Sequence, residues 1–208
     1  MSITERGTDV RQGVDLLKFQ QFCEYARANP DEVQFVLEAE GAAEGRVAHT
    51  RATTGPYTLG GQRIDRPARH YVHHLGAHKE VEEALGFTEP TDREEATEVV
   101  LAALTGCINT AVSASAVARG IELSRLETRV SIGWDPSVFL HLRDSDEGGD
   151  LLNQFHGLRI ELVVDGEGLT DDDRAYLQRS VRRSAVYNLL TLGHPNAPRL
   201  EVAAREGS

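Results

Sequence analysis

Two features of this sequence could carry reaction chemistry: a thiol inside an apolar stretch and a run of histidines. Cys107 stands in LTGCINT (104–110), within Val99–Ala118, where no residue is charged. A cysteine attacks only as its thiolate, so chemistry here needs a neighbour that favours the ionised form. The competing reading is a small core residue among alanines, a common place for cysteine. Cys23, the second of two cysteines, reads as a packed residue of an N-terminal helix. His70, His73, His74 and His78 crowd into one short segment. On a helix, His70, His74 and His78 would share a face and could line a pocket or ligate a metal. No cysteine or well-spaced acid completes a metal motif, and Arg66, Arg69 and Lys79 nearby would oppose a cation. The expectation is therefore surface or interface histidines, with a pocket role as the alternative, and no metal and no other cofactor.

The elements that must position these residues belong to a globular chain. It has 208 residues, 40% hydrophobic and 26% charged, enough for one sizeable core. A formal net charge of −11 argues against a nucleic-acid partner, which would need clustered Lys and Arg. Two distant cysteines are not a disulfide framework. No basic and apolar signal opens the sequence, so the expected compartment is the reducing cytoplasm. Val99–Ala118 has the length of a membrane span. Thr105, Asn109, Thr110, Ser113 and Ser115 interrupt it, and the reading is a core helix with no membrane partner.

Helical spacing over residues 14–28 predicts a first helix, stopped by Asn29-Pro30. Residues 33–39 read as a strand, Gly41 to Gly45 as a turn and Arg46 to Ala52 as the return strand. Gly60-Gly61 marks a second turn within 57–64, and Glu80 to Leu85 a short helix stopped by Gly86. Thr91 with Glu94 reads as a capping box opening a long helix that runs to Arg119 and stops at Gly120. Leu126–Trp134 and Leu158–Val164 alternate as strands, separated by an acidic, Gly-rich loop at Asp144–Asp150. Thr170 caps a second long helix running to Leu192, ended by Gly193, Pro195 and Pro198. Leu200–Ala203 reads as a final strand, and Trp134, Phe139 and Phe155 as core.

Three segments carry a resemblance. EVVLAALTGCINTAV (98–112) resembles the E-x-L-L-x-A-L-x-G-C central helix of the OsmC/Ohr superfamily, and ARGIEL (118–123) resembles the RGI-x-L that follows it. SAVYNLL (184–190) is similar to that family's Cys-Pro-Val segment, or Ser-Pro-Val-Tyr in its single-cysteine branches. The resemblance spans about residues 95–200, is weak over 30–94 and does not include 1–29. Residues 1–29 are accordingly an N-terminal extension with one helix, and 30–208 an OsmC-like domain. The resemblance implies an α/β (α+β) two-layer fold, with buried central helices against curved antiparallel sheets in an intertwined homodimer.

It also implies peroxidase chemistry. Cys107 matches the cysteine that attacks an organic hydroperoxide, and Ser184 stands where the second, resolving cysteine would be. Serine forms no disulfide, so the cycle would need an external thiol reductant. Glu98 matches a glutamate nine residues before the cysteine in one branch; in the hydroperoxide-resistance branch the position is ten before, here Thr97. Nine helical residues span about 13.5 Å and about two and a half turns, so Glu98 would face away from Cys107 of its own chain. Arg46, Arg51, Arg63 and Arg69 lie where the family places its activating arginine. Two functions follow: a thiol-dependent peroxidase or related redox enzyme, and a protein that binds an apolar small molecule, or performs other chemistry, on the same fold.

Overall fold

The computed structural model describes residues 9–143, 154–193 and 198–202. The acidic loop expected at Asp144–Asp150, the stop at Pro195 and Ala203 fall outside the described residues. The chain divides into two compact units. One holds the sequence up to Ala103 with Val117–Glu122; the other holds Leu104–Ala116 and the sequence from Leu123 on.

In the first unit, a small antiparallel hairpin of β1 (Val10–Arg11) and β2 (Val14–Asp15) leads into α1 (Leu16–Ala28). Asp15 caps α1 by accepting the Lys18 N–H at 3.1 Å, and Pro30 opens a 3₁₀ turn beyond it. No residue of α1 is buried, Cys23 included. A five-stranded sheet follows, with β3 (Phe35–Ala43), β4 (Thr50–Leu59), β6 (Tyr71–Gly76) and β7 (Glu94–Glu95) in that order. The short β5 (Gln62–Ile64) folds back on the end of β4. The Gly60-Gly61 turn is as expected. Both residues have positive φ, and a side chain at Gly60 would also meet the Glu32 carbonyl 2.7 Å away. The first hairpin is shifted from its expected place. β3 runs through Gly41, so the turn falls between Ala43 and Thr50, and β4 replaces the strand expected at Arg46–Ala52. α2 (Lys79–Ala84) ends before Gly86, whose φ is +80°.

α3 (Ala96–Arg119) is the longest element, and Gly120 ends it with φ +76°. Its start differs from the expected one. Glu95, not Thr91, precedes the helix: its carboxylate accepts the Thr97 N–H at 2.6 Å, and Glu98 reaches back to the Glu95 N–H at 3.1 Å. This is the reciprocal arrangement of a capping box, moved four residues on. By length and composition α3 could cross a membrane. Its Leu104, Ile108, Val112 and Ala116, spaced four apart, are instead buried within the protein.

In the second unit β8 (Arg125–Trp134) pairs antiparallel with β9 (Phe155–Asp165). Thr128 of β8 donates to Asn109 of α3 at 2.7 Å. The helix expected to run from Thr170 to Leu192 is two helices. α4 (Asp171–Ser180) begins at a Thr170–Asp173 capping box, a 3₁₀ turn covers Val181–Arg183, and α5 (Ala185–Thr191) begins at Ser184. α4 buries Leu177 and Ser180, and the Tyr176 hydroxyl bonds the Ser115 carbonyl of α3 at 3.3 Å. Leu200–Val202 is not a strand. Trp134, Phe139 and Phe155 are not core either: they are 41%, 49% and 41% exposed, and Trp134 and Phe139 pack on each other instead.

Candidate active site

Cys107 sits in the middle of α3 between the fully buried Leu104 and Ile108, and is itself partly exposed. Next to it, Gly106 faces open space: a Cβ there would meet nothing within 4 Å. The helix therefore anchors the thiol through its neighbours and leaves a way in.

The break between α4 and α5 supplies the thiol's partners. Ser184 leaves the helical region (φ −69°, ψ 121°), and its hydroxyl accepts the Tyr187 N–H at 3.1 Å, capping α5. Ser184 is fully buried. The turn it starts aims backbone N–H groups at the sulfur, and Val186 N lies 3.5 Å from Cys107 Sγ. Burial is the largest influence on this thiol and pushes its pKa up. The Ser184 hydroxyl and the N–H groups of Val186 and Ala185 together outweigh it and hold the thiol below the usual cysteine value. The groups that favour the thiolate are thus neutral dipoles.

Glu98 is occupied at the start of α3. One carboxylate oxygen caps the Glu95 N–H and the other lies 3.2 Å from His78 Nε2. The Glu95 N–H and His78 hold its carboxyl below the ordinary range. Each of three arginines named above has a local role. Arg46 donates to the carbonyls of Thr88 and Glu89, Arg63 pairs with Glu38 at 2.8 Å, and Arg69 lies over the Tyr57 and Tyr71 rings. Arg51 stands exposed on β4.

The histidines correct a second expectation. His73 and His74 lie in the strand β6, with His70 just before it and His78 at the N-cap of α2, so the segment is not one helix. Four residues of strand span about 13 Å, so His70 and His74 cannot share one metal. Three of the four histidines have a carboxylate each: Asp65 for His70 at 3.0 Å, Glu44 for His74 at 3.2 Å and Glu98 for His78. Among the described residues no three His, Cys, Asp or Glu side chains gather around a common point.

One buried cluster has no counterpart in the sequence reading. His49 Nε2 lies 2.6 Å from Glu82 Oε1, and both side chains are buried. The Thr91 N–H donates to the other Glu82 oxygen at 2.6 Å, and the Thr91 hydroxyl donates to the same carboxylate. The Thr91 N–H is the main cause, ahead of His49, that keeps the Glu82 carboxyl below its usual range despite its burial. Glu82 lies among other acids of α2, and no local pattern distinguishes the buried one. Separately, a cleft of about 1210 Å³ lies along β9 and α4, with Ile160, Leu162 and Val164 on one side and Arg174, Arg179 and Tyr187 among the others.

The family model described as OsmC-like protein matches residues 93–196, half of the 208 residues. The chain belongs to the OsmC family. The matched span takes in both Cys107 and Ser184, and the mixed sheets and helices of this OsmC-like protein agree with the expected α+β class. No curated protein matches the chain. Among solved structures it is similar to an organic hydroperoxide resistance protein from Elizabethkingia anophelis, crystallised with thiocyanate bound. The two are 14% identical over 78% of this chain and 91% of that one, with a TM-score of 0.44. It is also similar to the organic hydroperoxide resistance protein OhrB of Bacillus subtilis, 14% identical over 76% and 91% of the two chains, TM-score 0.44. An OsmC-like protein of Mycoplasma pneumoniae matches at 14% identity over 76% and 88%, TM-score 0.43. The OsmC-like protein described here carries serine at position 184, so no disulfide can join that position to Cys107.

Proposed function

We propose that this protein is a cysteine-dependent peroxidase for organic hydroperoxides, reduced by an external low-molecular-weight thiol. The observation that carries this reading is the partly exposed Cys107 sulfur, hydrogen-bonded by the first turn of α5 and held toward the thiolate. The thiolate attacks the terminal oxygen of the hydroperoxide and the O–O bond breaks. The departing alkoxide takes a proton to become the alcohol, leaving a sulfenic acid on Cys107. A small thiol condenses with it, releasing water and forming a mixed disulfide. A second thiol displaces Cys107 and leaves as the oxidised disulfide. Glu98 enters this scheme as a helix-capping and positioning residue at the start of α3.

The working unit is a cytoplasmic homodimer. Apolar side chains left bare in each unit support that assembly: Phe35, Val36 and Leu37 along β3, and Leu189 and Leu190 on α5, are each 45% exposed or more. Light scattering on the purified protein should return twice the chain mass. For the reaction, equimolar cumene hydroperoxide should add one oxygen to Cys107, trapped by dimedone and located by peptide mass spectrometry. An unmodified Cys107 under those conditions would sink the peroxidase reading. The cleft along β9 supports a second reading, a binder of apolar small molecules. A thermal-shift screen that finds a stabilising ligand, alongside an inert Cys107, would favour it.

A further inference from the structure

The cleft along β9 and α4 is apolar along its length and charged at its ends. We propose that it binds a medium-chain fatty carboxylate, with the head on Arg179 and Arg182 and the chain along β9. The inference deepens the second reading above, in which the cleft binds a small molecule, and rests on it. It does not depend on chemistry at Cys107.

Ile160, Leu162 and Val164 are alternate residues of one strand, so they share a face of β9 and form an apolar strip about 13 Å long. All three are half-buried rather than sealed. Across from them α4 presents Ala175, whose small side chain leaves the groove open. The space amounts to about 1210 Å³, enough for a small organic ligand.

The charges fix which way such a ligand lies. Asp165 ends β9 and Asp171 begins α4, so both acids stand where strand and helix are joined. Arg174 ties that end together by donating to the Val164 carbonyl at 2.9 Å, and Asp165 has Arg125 at 3.8 Å. Arg179 lies further along the helix, about 12 Å from Asp171, and Arg182 stands one turn on. Both arginines are exposed, and among the described residues neither is paired with an acid. In a chain of net charge −11, two such arginines at one end of an apolar groove complement a single anionic head. A guanidinium binds a carboxylate bidentately, and its aliphatic stem can lie along the chain that follows. The acids at the other end disfavour the reversed orientation.

Isothermal titration calorimetry on the full chain tests this with decanoate and with decanol, which has the same chain and no charge. Decanoate should bind at least about tenfold more tightly, the effect of one hydrogen bond between charged groups. The double variant Arg179→Gln/Arg182→Gln should remove that margin and keep the binding of decanol. Ala175→Phe should weaken both ligands by filling the groove; if it does not fold, the arginine variant decides alone. Equal affinity of the parent for the two ligands overturns the carboxylate assignment and leaves an apolar binder standing. Decanoate binding that the variants leave unchanged lies elsewhere on the molecule and overturns the proposal. Binding of neither ligand ends the proposal and the second reading together.

Discussion

Two polar clusters are built into this molecule, and they are finished differently. Around Glu82, both carboxylate oxygens are taken, by His49 and by the N–H and hydroxyl of Thr91, and the pair is sealed from solvent. Around Cys107, the donors are equally local, but the sulfur keeps an exposed side next to Gly106. A saturated buried cluster has nothing left to offer a ligand, and its energy goes into holding segments together. A thiol with donors on one side and access on the other keeps a lone pair available for reaction. Burial of polar groups alone would have ranked the first cluster as the functional one; the free side of the sulfur reverses that ranking.

The sharpest way to break the contrast is to exchange the consequences. Cys107→Ser should abolish hydroperoxide consumption, a loss of at least about 10³-fold, because a neutral hydroxyl is a far weaker nucleophile than a thiolate. Its melting temperature should stay within about 3 °C of the parent, since serine can accept the same Val186 N–H. Glu82→Ala should do the reverse. It strands His49 and the Thr91 N–H in a sealed site and should lower the melting temperature by about 10 °C, with the Cys107 alkylation rate unchanged. Calorimetry on both variants, hydroperoxide consumption for Cys107→Ser and Cys107 alkylation for Glu82→Ala read the two effects. A Glu82→Ala protein of parental stability would remove the structural role assigned to that cluster.

The Glu82 cluster should also make the fold acid-sensitive. The folded-state pKa of Glu82 is depressed, chiefly by the Thr91 N–H. A depressed carboxyl contributes stability that is present above its unfolded pKa, about 4.3, and lost as pH falls through the folded value. The melting temperature should therefore drop on acidification below about pH 4, and the drop should be shallower in Glu82→Gln, which cannot gain that proton. Parallel curves for the two proteins would place the acid response elsewhere.

Much of the frame behind these clusters is legible in the sequence. The uncharged run of Val99–Ala118 with Gly120 after it reads as one helix and forms one, and the alternation in 126–134 and 158–164 reads as the β8–β9 pair. The α4–α5 break does not read, because 170–192 contains neither glycine nor proline and keeps its amphipathic spacing. Only Ser184 marks it, and a mid-helix serine is a weak signal until its hydroxyl is seen capping Tyr187. The resemblance held a hint: the related Ser-Pro-Val-Tyr segment has proline at the first helical position, where Ala185 stands here. The histidines misled because a spacing of four was given a helical meaning. Here His74 lies in β6, with His70 just before it and His78 at the start of α2, so the same spacing spreads the rings along extended chain, each to a separate carboxylate. The Glu82 cluster was invisible because its three residues come from three segments, joined only by the fold.

The smallest effect bears on Glu98, which lies at the border of the comparison: a carboxylate the resemblance would give to the active site, found with two structural partners. His78 is the cleaner reporter. Its pKa is raised, chiefly by its hydrogen bond to Glu98, while burial works weakly against it. A raised histidine contributes stability that is present below its unfolded pKa, about 6.5, and lost as pH rises through the folded value. Both side chains are about half exposed, so solvent screens the pair and the change in melting temperature should be barely measurable. In Glu98→Gln the His78 titration, followed by NMR, should move down toward the ordinary histidine value. The Cys107 alkylation profile should not change, since the donors to that sulfur come from Ser184, Ala185 and Val186. A profile that moved with Glu98 would make the carboxylate part of the thiol's environment in the working assembly.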